Sequence, residues 1–120
     1  MYELTKEFGF EAAHTLVRAY ETESSARVHG HSYRVRVSLG GEPDPRSGMI
    51  MDMAAIEAAI SETRLRLDHH MLDEVPGLGP ATLENLARWI WGVLKPRLPG
   101  LARVTVSRES IGDACSYWEP

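Results

Sequence analysis

The sequence predicts an α+β domain in which an antiparallel sheet carries two helices on one face, in the order β-β-α-α-β-β. Three observations predict it. Two segments of alternating hydrophobicity open the chain, two capped amphipathic segments follow, and two further alternating segments close it. The length of 120 residues fits a single domain over 1–120.

The first segment, "YELTKEFGFEAAH", places Tyr2, Leu4, Phe8 and Phe10 at even positions with charges mostly between them. That is the two-residue period of a strand. In "SYRVRVSLGG", Tyr33, Val35, Val37 and Leu39 take one face, and Ser32, Arg34, Arg36 and Ser38 take the other. The stretch from His14 to Val28 between them reads as a long loop without structure of its own, a length often tied to function. "GGEPDPRSG" reads as turn.

Asp52 is placed to cap the first helix, whose stripe is Ile56, Ala59, Ile60 and Thr63. After the loop "DHHMLDEVPGLGP", Thr82 is placed to cap the second. There Leu83, Leu86, Ala87, Ile90, Val93 and Leu94 recur at helical spacing, and Pro96, Pro99 and Gly100 end the run. Trp89 and Trp91 lie in this helix as packing residues, and Met49, Met51 and Met53 as packing residues before the other. Alternation returns in "LARVTVSRE" through Leu101, Val104 and Val106, and "ACSYWE" reads as a short last strand. Four strands leave two edges, and open edges invite a second subunit.

Composition narrows the function. A net charge of −4 with neutral histidines argues against binding nucleic acid through bulk charge. The lone Cys115 excludes a disulfide framework within the chain. "MYELTKEFGF" lacks the apolar core of a signal peptide, and no segment has the length of a membrane span. The expectation is a cytoplasmic, oligomeric protein with no membrane or nucleic-acid partner.

Three histidines carry the chemistry. His29 and His31 are two apart, so an extended backbone turns both rings to one face. His14 ends the first strand and joins them if the two strands pair. Three neutral imidazoles suit Zn²⁺ with a fourth position open, the pattern of a catalytic site. On spacing alone they also suit plain turn histidines.

Five short motifs then occur in a familiar order: "FEAAH" at 10–14, "HGHSY" at 29–33, "LDHHML" at 67–72, "ATLENLARWIW" at 81–91 and "SRE" at 107–109. Together they resemble the 6-pyruvoyltetrahydropterin synthase and 6-carboxytetrahydropterin synthase family over nearly the whole chain. The likeness is greatest to the bacterial 6-carboxy members of queuosine synthesis. It implies the tunnelling fold, with a twelve-stranded barrel closed by three subunits, a homohexamer of two stacked trimers, and active sites at subunit interfaces. It implies a zinc-dependent lyase that converts 7,8-dihydroneopterin triphosphate to 6-carboxy-5,6,7,8-tetrahydropterin, acetaldehyde and triphosphate. His14, His29 and His31 look like the zinc ligands, Asp68 and His69 like the catalytic pair, and Glu109 like the anchor of the pterin ring. Thr82 falls near the pterin pocket, where its simpler role is the helix cap. Arg18, Arg27 and Lys6 are candidates for the triphosphate by charge alone.

The chain departs from the family at one position. Most members carry a cysteine base four residues before the first histidine of "HGH"; here that residue is Ser25. A hydroxyl is far less acidic than a thiol, whose reference pKa is about 8.5, and it serves as a base only with strong activation. Three readings stay open. His69 or the metal site supplies the base, and the family reaction stands. A carboxylate of the same loop, Glu21 or Glu23, supplies it, and the side chain is cleaved to 6-hydroxymethyldihydropterin. Or the protein binds pterin without turnover.

Overall fold

A computed structural model describes all 120 residues. Its strands are β1 (Tyr2–His14), β2 (His29–Gly41), β3 (Leu101–Arg108) and β4 (Asp113–Tyr117). Its helices are α1 (Thr22–Ala26), α2 (Met53–Leu65) and α3 (Leu83–Leu94). The four strands form one antiparallel sheet in the order β1-β2-β3-β4. The two long helices connect β2 to β3 and cover one face, as the sequence periods predict. No helix is long and apolar enough to cross a membrane.

The alternation becomes burial. In β1 the even positions sink progressively, from exposed Tyr2 to buried Phe8, Phe10, Ala12 and His14. Opposite them Tyr33, Val35, Val37 and Leu39 of β2 are buried, and Val104 and Val106 continue the layer on β3. From above, α2 adds Ile56, Ala59, Ile60 and Thr63, and α3 adds Leu86, Ala87, Ile90, Trp91 and Leu94. Asp52 accepts from the Ala54 amide and Thr82 from the Asn85 amide, so both caps form as read.

Four details extend or correct the sequence reading. The stretch between β1 and β2 is not structureless. It holds the short α1, and the Leu16 amide donates to the Ser25 carbonyl at 2.8 Å. Ser38, on the polar face opposite Leu39, is buried. It sits at a β-bulge where Ser38 pairs with Arg103 but Leu39 with Leu101, and the Arg103–Glu3 ion pair spans its row. The same bulge lets Leu101 and Val104, three apart, face one core. Of the three methionines only Met51 packs on the core; Met49 and Met53 stay at the surface.

One edge is partly closed. The His69 amide donates to the Glu11 carbonyl at 2.6 Å, and the Ala13 amide to the His70 carbonyl at 3.1 Å. Ala13 and Met71 form a parallel bridge. The loop after α2 therefore lies along the histidine end of β1, while the rest of that edge and the outer edge of β4 remain open.

Candidate metal centre

The strand register assembles the three histidines. β1 and β2 pair along their whole length, from Tyr2 opposite Gly41 to His14 opposite His29. His31 lies two residues further on the same face. The ring centroids stand 4.5, 5.0 and 5.0 Å apart, each pair edge to face. One nitrogen from each ring lies within 4.8 Å of the others.

The main chain turns two of the rings. His14 Nδ1 donates to the Ala81 carbonyl at 2.9 Å, and His29 Nδ1 to the Arg27 carbonyl at 2.7 Å. A ring that donates from Nδ1 carries its lone pair on Nε2. His14 Nε2 is buried and has no hydrogen-bond partner in the protein. A buried unpaired acceptor beside two more imidazoles fits a metal ion, and the donor set suits zinc. Burial holds the His14 pKa below its ordinary value and brings that of His31 down to about 4, with the Arg108 charge as the next cause. Both shifts favour the neutral form that a ligand needs.

Arg108 was not picked out by the sequence reading. It pairs with Asp113 through Nε at 3.2 Å and Nη2 at 2.6 Å, and its Nη1 stands 3.4 Å from His31 Nε2. The signal was there, because position 108 is in step with Val104 and Val106. A charged residue in that row points toward the buried face.

The Asp68–His69 pair lies beside the cluster. Adjacent residues rarely pair, yet His69 Nδ1 is 3.0 Å from Asp68 Oδ2. His69 adopts a φ of 58°, which turns its ring back over its neighbour. Asp68 also accepts from the Glu11 amide at 2.9 Å and from Arg64 at 3.1 Å. These contacts hold its carboxyl below the usual carboxylate range, the Glu11 N–H first, then His69, then the Arg64 charge. A cleft of about 480 Å³ runs between Glu11, His31, Ser32, His69, His70 and Met71, so one ligand-type histidine and the Asp–His pair share a wall.

The other residues singled out are dispersed. Glu109 is exposed, 3.4 Å from Arg34, in a neighbouring cleft that shares Glu11 and Ser32 with the first. Thr82 spends its hydroxyl on the α3 cap, and Ala81 beside it orients His14. Ser25 is buried in α1. Glu23 is exposed and bonded to Arg27, and Lys6 pairs with Glu57. His70 bonds the Asp68 carbonyl and lines the cleft. Trp91 is buried against Tyr117, and Trp89 bonds the Pro76 carbonyl.

Comparison with known proteins agrees with this architecture. The model of the family described as 6-pyruvoyl tetrahydropterin synthase matches residues 3–120. A 6-carboxy-5,6,7,8-tetrahydropterin synthase of Synechocystis is 35% identical over 126 aligned positions, covering 100% of this chain and 95% of its own. Human 6-pyruvoyl tetrahydrobiopterin synthase is 32% identical over 111, covering 81% of this chain and 77% of its own. The solved structure of the Caenorhabditis elegans 6-pyruvoyl tetrahydropterin synthase superposes with a TM-score of 0.84 at 26% identity, covering 99% of this chain and 96% of that one.

Proposed function

The chain belongs to the 6-pyruvoyl tetrahydropterin synthase family, and from that premise we propose that it is a zinc-dependent 6-carboxy-5,6,7,8-tetrahydropterin synthase. Its substrate in this reading is 7,8-dihydroneopterin triphosphate, and its products are 6-carboxytetrahydropterin, acetaldehyde and triphosphate. The observation that carries the reading is the convergence of three imidazoles, two with Nε2 freed by a backbone carbonyl, beside a cleft that reaches His69. The likeness to the Synechocystis enzyme over the full chain favours the 6-carboxy product over the 6-pyruvoyl one.

His14, His29 and His31 hold the ion in this reading. Bound there, zinc supplies Lewis acidity toward the side-chain hydroxyls of the substrate. His69 moves the proton. Its ring is exposed to the cleft, and an imidazole exchanges protons near neutral pH. Asp68 fixes that ring by accepting from Nδ1, which leaves Nε2 for the substrate. Glu109 accepts the ring N–H and exocyclic NH2 of the pterin, sharing its carboxylate with Arg34. With Ser25 in place of a thiol, His69 is the base we favour. Residues 1–120 act as one such domain, in a cytoplasmic hexamer whose trimers close by pairing the open edges of β1 and β4.

The test is to incubate the zinc-loaded protein with 7,8-dihydroneopterin triphosphate and follow products by mass. Release of triphosphate with 6-carboxytetrahydropterin is expected. A 6-hydroxymethyl or 6-pyruvoyl product would replace the 6-carboxy assignment, and no triphosphate release would leave a pterin-binding protein.

A further inference from the structure

We propose that Arg108 is the oxyanion-binding residue of this centre, its Nη1–H group receiving an anionic oxygen of the ligand that occupies the position beside the three imidazoles. This rests on the metal reading above and deepens it.

The argument starts from the strand. Val104 and Val106 are fully buried, and Arg108 continues their row to the site end of the sheet. Its side chain is only 20% exposed, so a permanent charge is mostly withdrawn from water. Such a charge needs a partner, and the β3–β4 register supplies Asp113 directly opposite. Gly112, at a φ of 76°, permits the tight turn between them. The two-point contact consumes Nε and Nη2 and fixes the plane of the guanidinium.

Nη1 is left over. Its nearest acceptor is His31 Nε2 at 3.4 Å, beyond the usual 2.7–3.2 Å of an N–H bond. When that lone pair goes to a metal ion, Nη1 has no acceptor there. A zinc ion about 2.1 Å from the same nitrogen stands within about 5.5 Å of Nη1. Asp113 offsets the guanidinium charge along the Nε–Nη2 edge, while Nη1 on the other edge still turns its positive N–H toward the ion, so the gap between them favours negative charge. An oxygen anion held by both fills that gap and gains a charge-assisted hydrogen bond. The ligand class is therefore an oxygen anion, an alkoxide or a carboxylate, and glycolate is a small probe that carries such an oxygen. A purely structural Arg108–Asp113 pair would not require the third nitrogen to face a ligating imidazole.

The experiment uses Co²⁺ as the spectroscopic ion and glycolate as the probe, in wild type, Arg108→Gln and Arg108→Lys. Co²⁺ is titrated first and followed by visible absorption, then glycolate is added to the loaded protein. Arg108→Gln is expected to bind Co²⁺ more tightly without glycolate, because a repelling charge is gone, and to bind glycolate at least about tenfold more weakly. Arg108→Lys keeps the charge and loses the fork, so its glycolate affinity falls between the two. If Arg108→Gln is poorly folded by circular dichroism, the lysine variant decides alone: wild-type glycolate affinity overturns the proposal. Equal glycolate affinity in loaded wild type and Arg108→Gln overturns it, as does weaker Co²⁺ binding by Arg108→Gln, which would make the residue a structural support. No Co²⁺ uptake by wild type removes the metal reading and this one with it, and that failure is read before any glycolate is added.

Discussion

The imidazole cluster and the Asp68–His69 pair share a cleft but are built in opposite ways. The cluster stands on two paired strands, with His14 buried and two rings turned by backbone carbonyls. The pair stands on a loop zipped to a strand edge, with His69 exposed and in the left-handed region. In the proposed function the difference separates two tasks. Holding an ion needs fixed donors that give up little on binding. Moving a proton needs a group that reaches both solvent and ligand.

The sharpest way to break the comparison is to remove a cluster member. His29→Ala should lose most bound zinc, with affinity falling on the order of 100-fold or more, since loss of even an orienting partner costs 10–100-fold. Retention of a full equivalent by elemental analysis would refute the assignment. On the other side, His69→Ala should keep its zinc and lose about 10²-fold or more in kcat. If zinc falls with it, the two regions are one unit.

Ser25→Cys, compared with Glu23→Gln, asks whether the loop contributes a base. The thiol is expected to raise turnover about tenfold, because it reaches its anion far more readily than a hydroxyl. A loss of comparable size in Glu23→Gln would move the base to that carboxylate, despite its bond to Arg27.

Stability against pH gives a smaller effect. His31 titrates at about 4 in the folded protein, against 6.5 as its ordinary value. A histidine with a depressed folded pKa contributes its full stability above 6.5, and loses it as the pH falls toward 4. Asp68, also depressed, adds a loss of the same sign at lower pH. The melting temperature of the metal-free protein should therefore decline across that window, and His31→Ala should flatten the decline. Smallest of all, Thr82→Ala removes the α3 cap at a cost of about 1 kcal/mol. It should lower the melting temperature by a few degrees, and an unchanged melting temperature would mean that the cap is not what the hydroxyl does.

The parts of this molecule that were legible in the sequence are those with a short period. The even positions of β1, the stripe of α2, and the caps at Asp52 and Thr82 follow from neighbours a few residues apart. The histidine cluster was legible because His29 and His31 share a strand and His14 ends its partner. What escaped depends on residues far apart in sequence. Nothing local near residue 81 says that its carbonyl will meet His14, nor that the backbone at 69–71 will bond to β1. The pairing of Asp68 with His69 required a left-handed backbone that a non-glycine residue adopts only when the fold imposes it. The bulge at Ser38 and Leu39 left only an indirect mark, the three-residue step from Leu101 to Val104 with Gly40 and Gly100 beside it, which does not by itself say which strands pair there.

The acceptors that turn His14 and His29 are carbonyls of Ala81 and Arg27, not side chains. Any residue at either position still carries a carbonyl. The orientation of these rings is thus inherited through the path of the chain: it tolerates drift at exposed residue 27, while at buried Ala81 only a side chain small enough to leave the backbone unmoved preserves it. Change in what lies around the three nitrogens is in this sense uncoupled from change in how they are held. A lineage could explore new chemistry at this centre while its donors stay as they are.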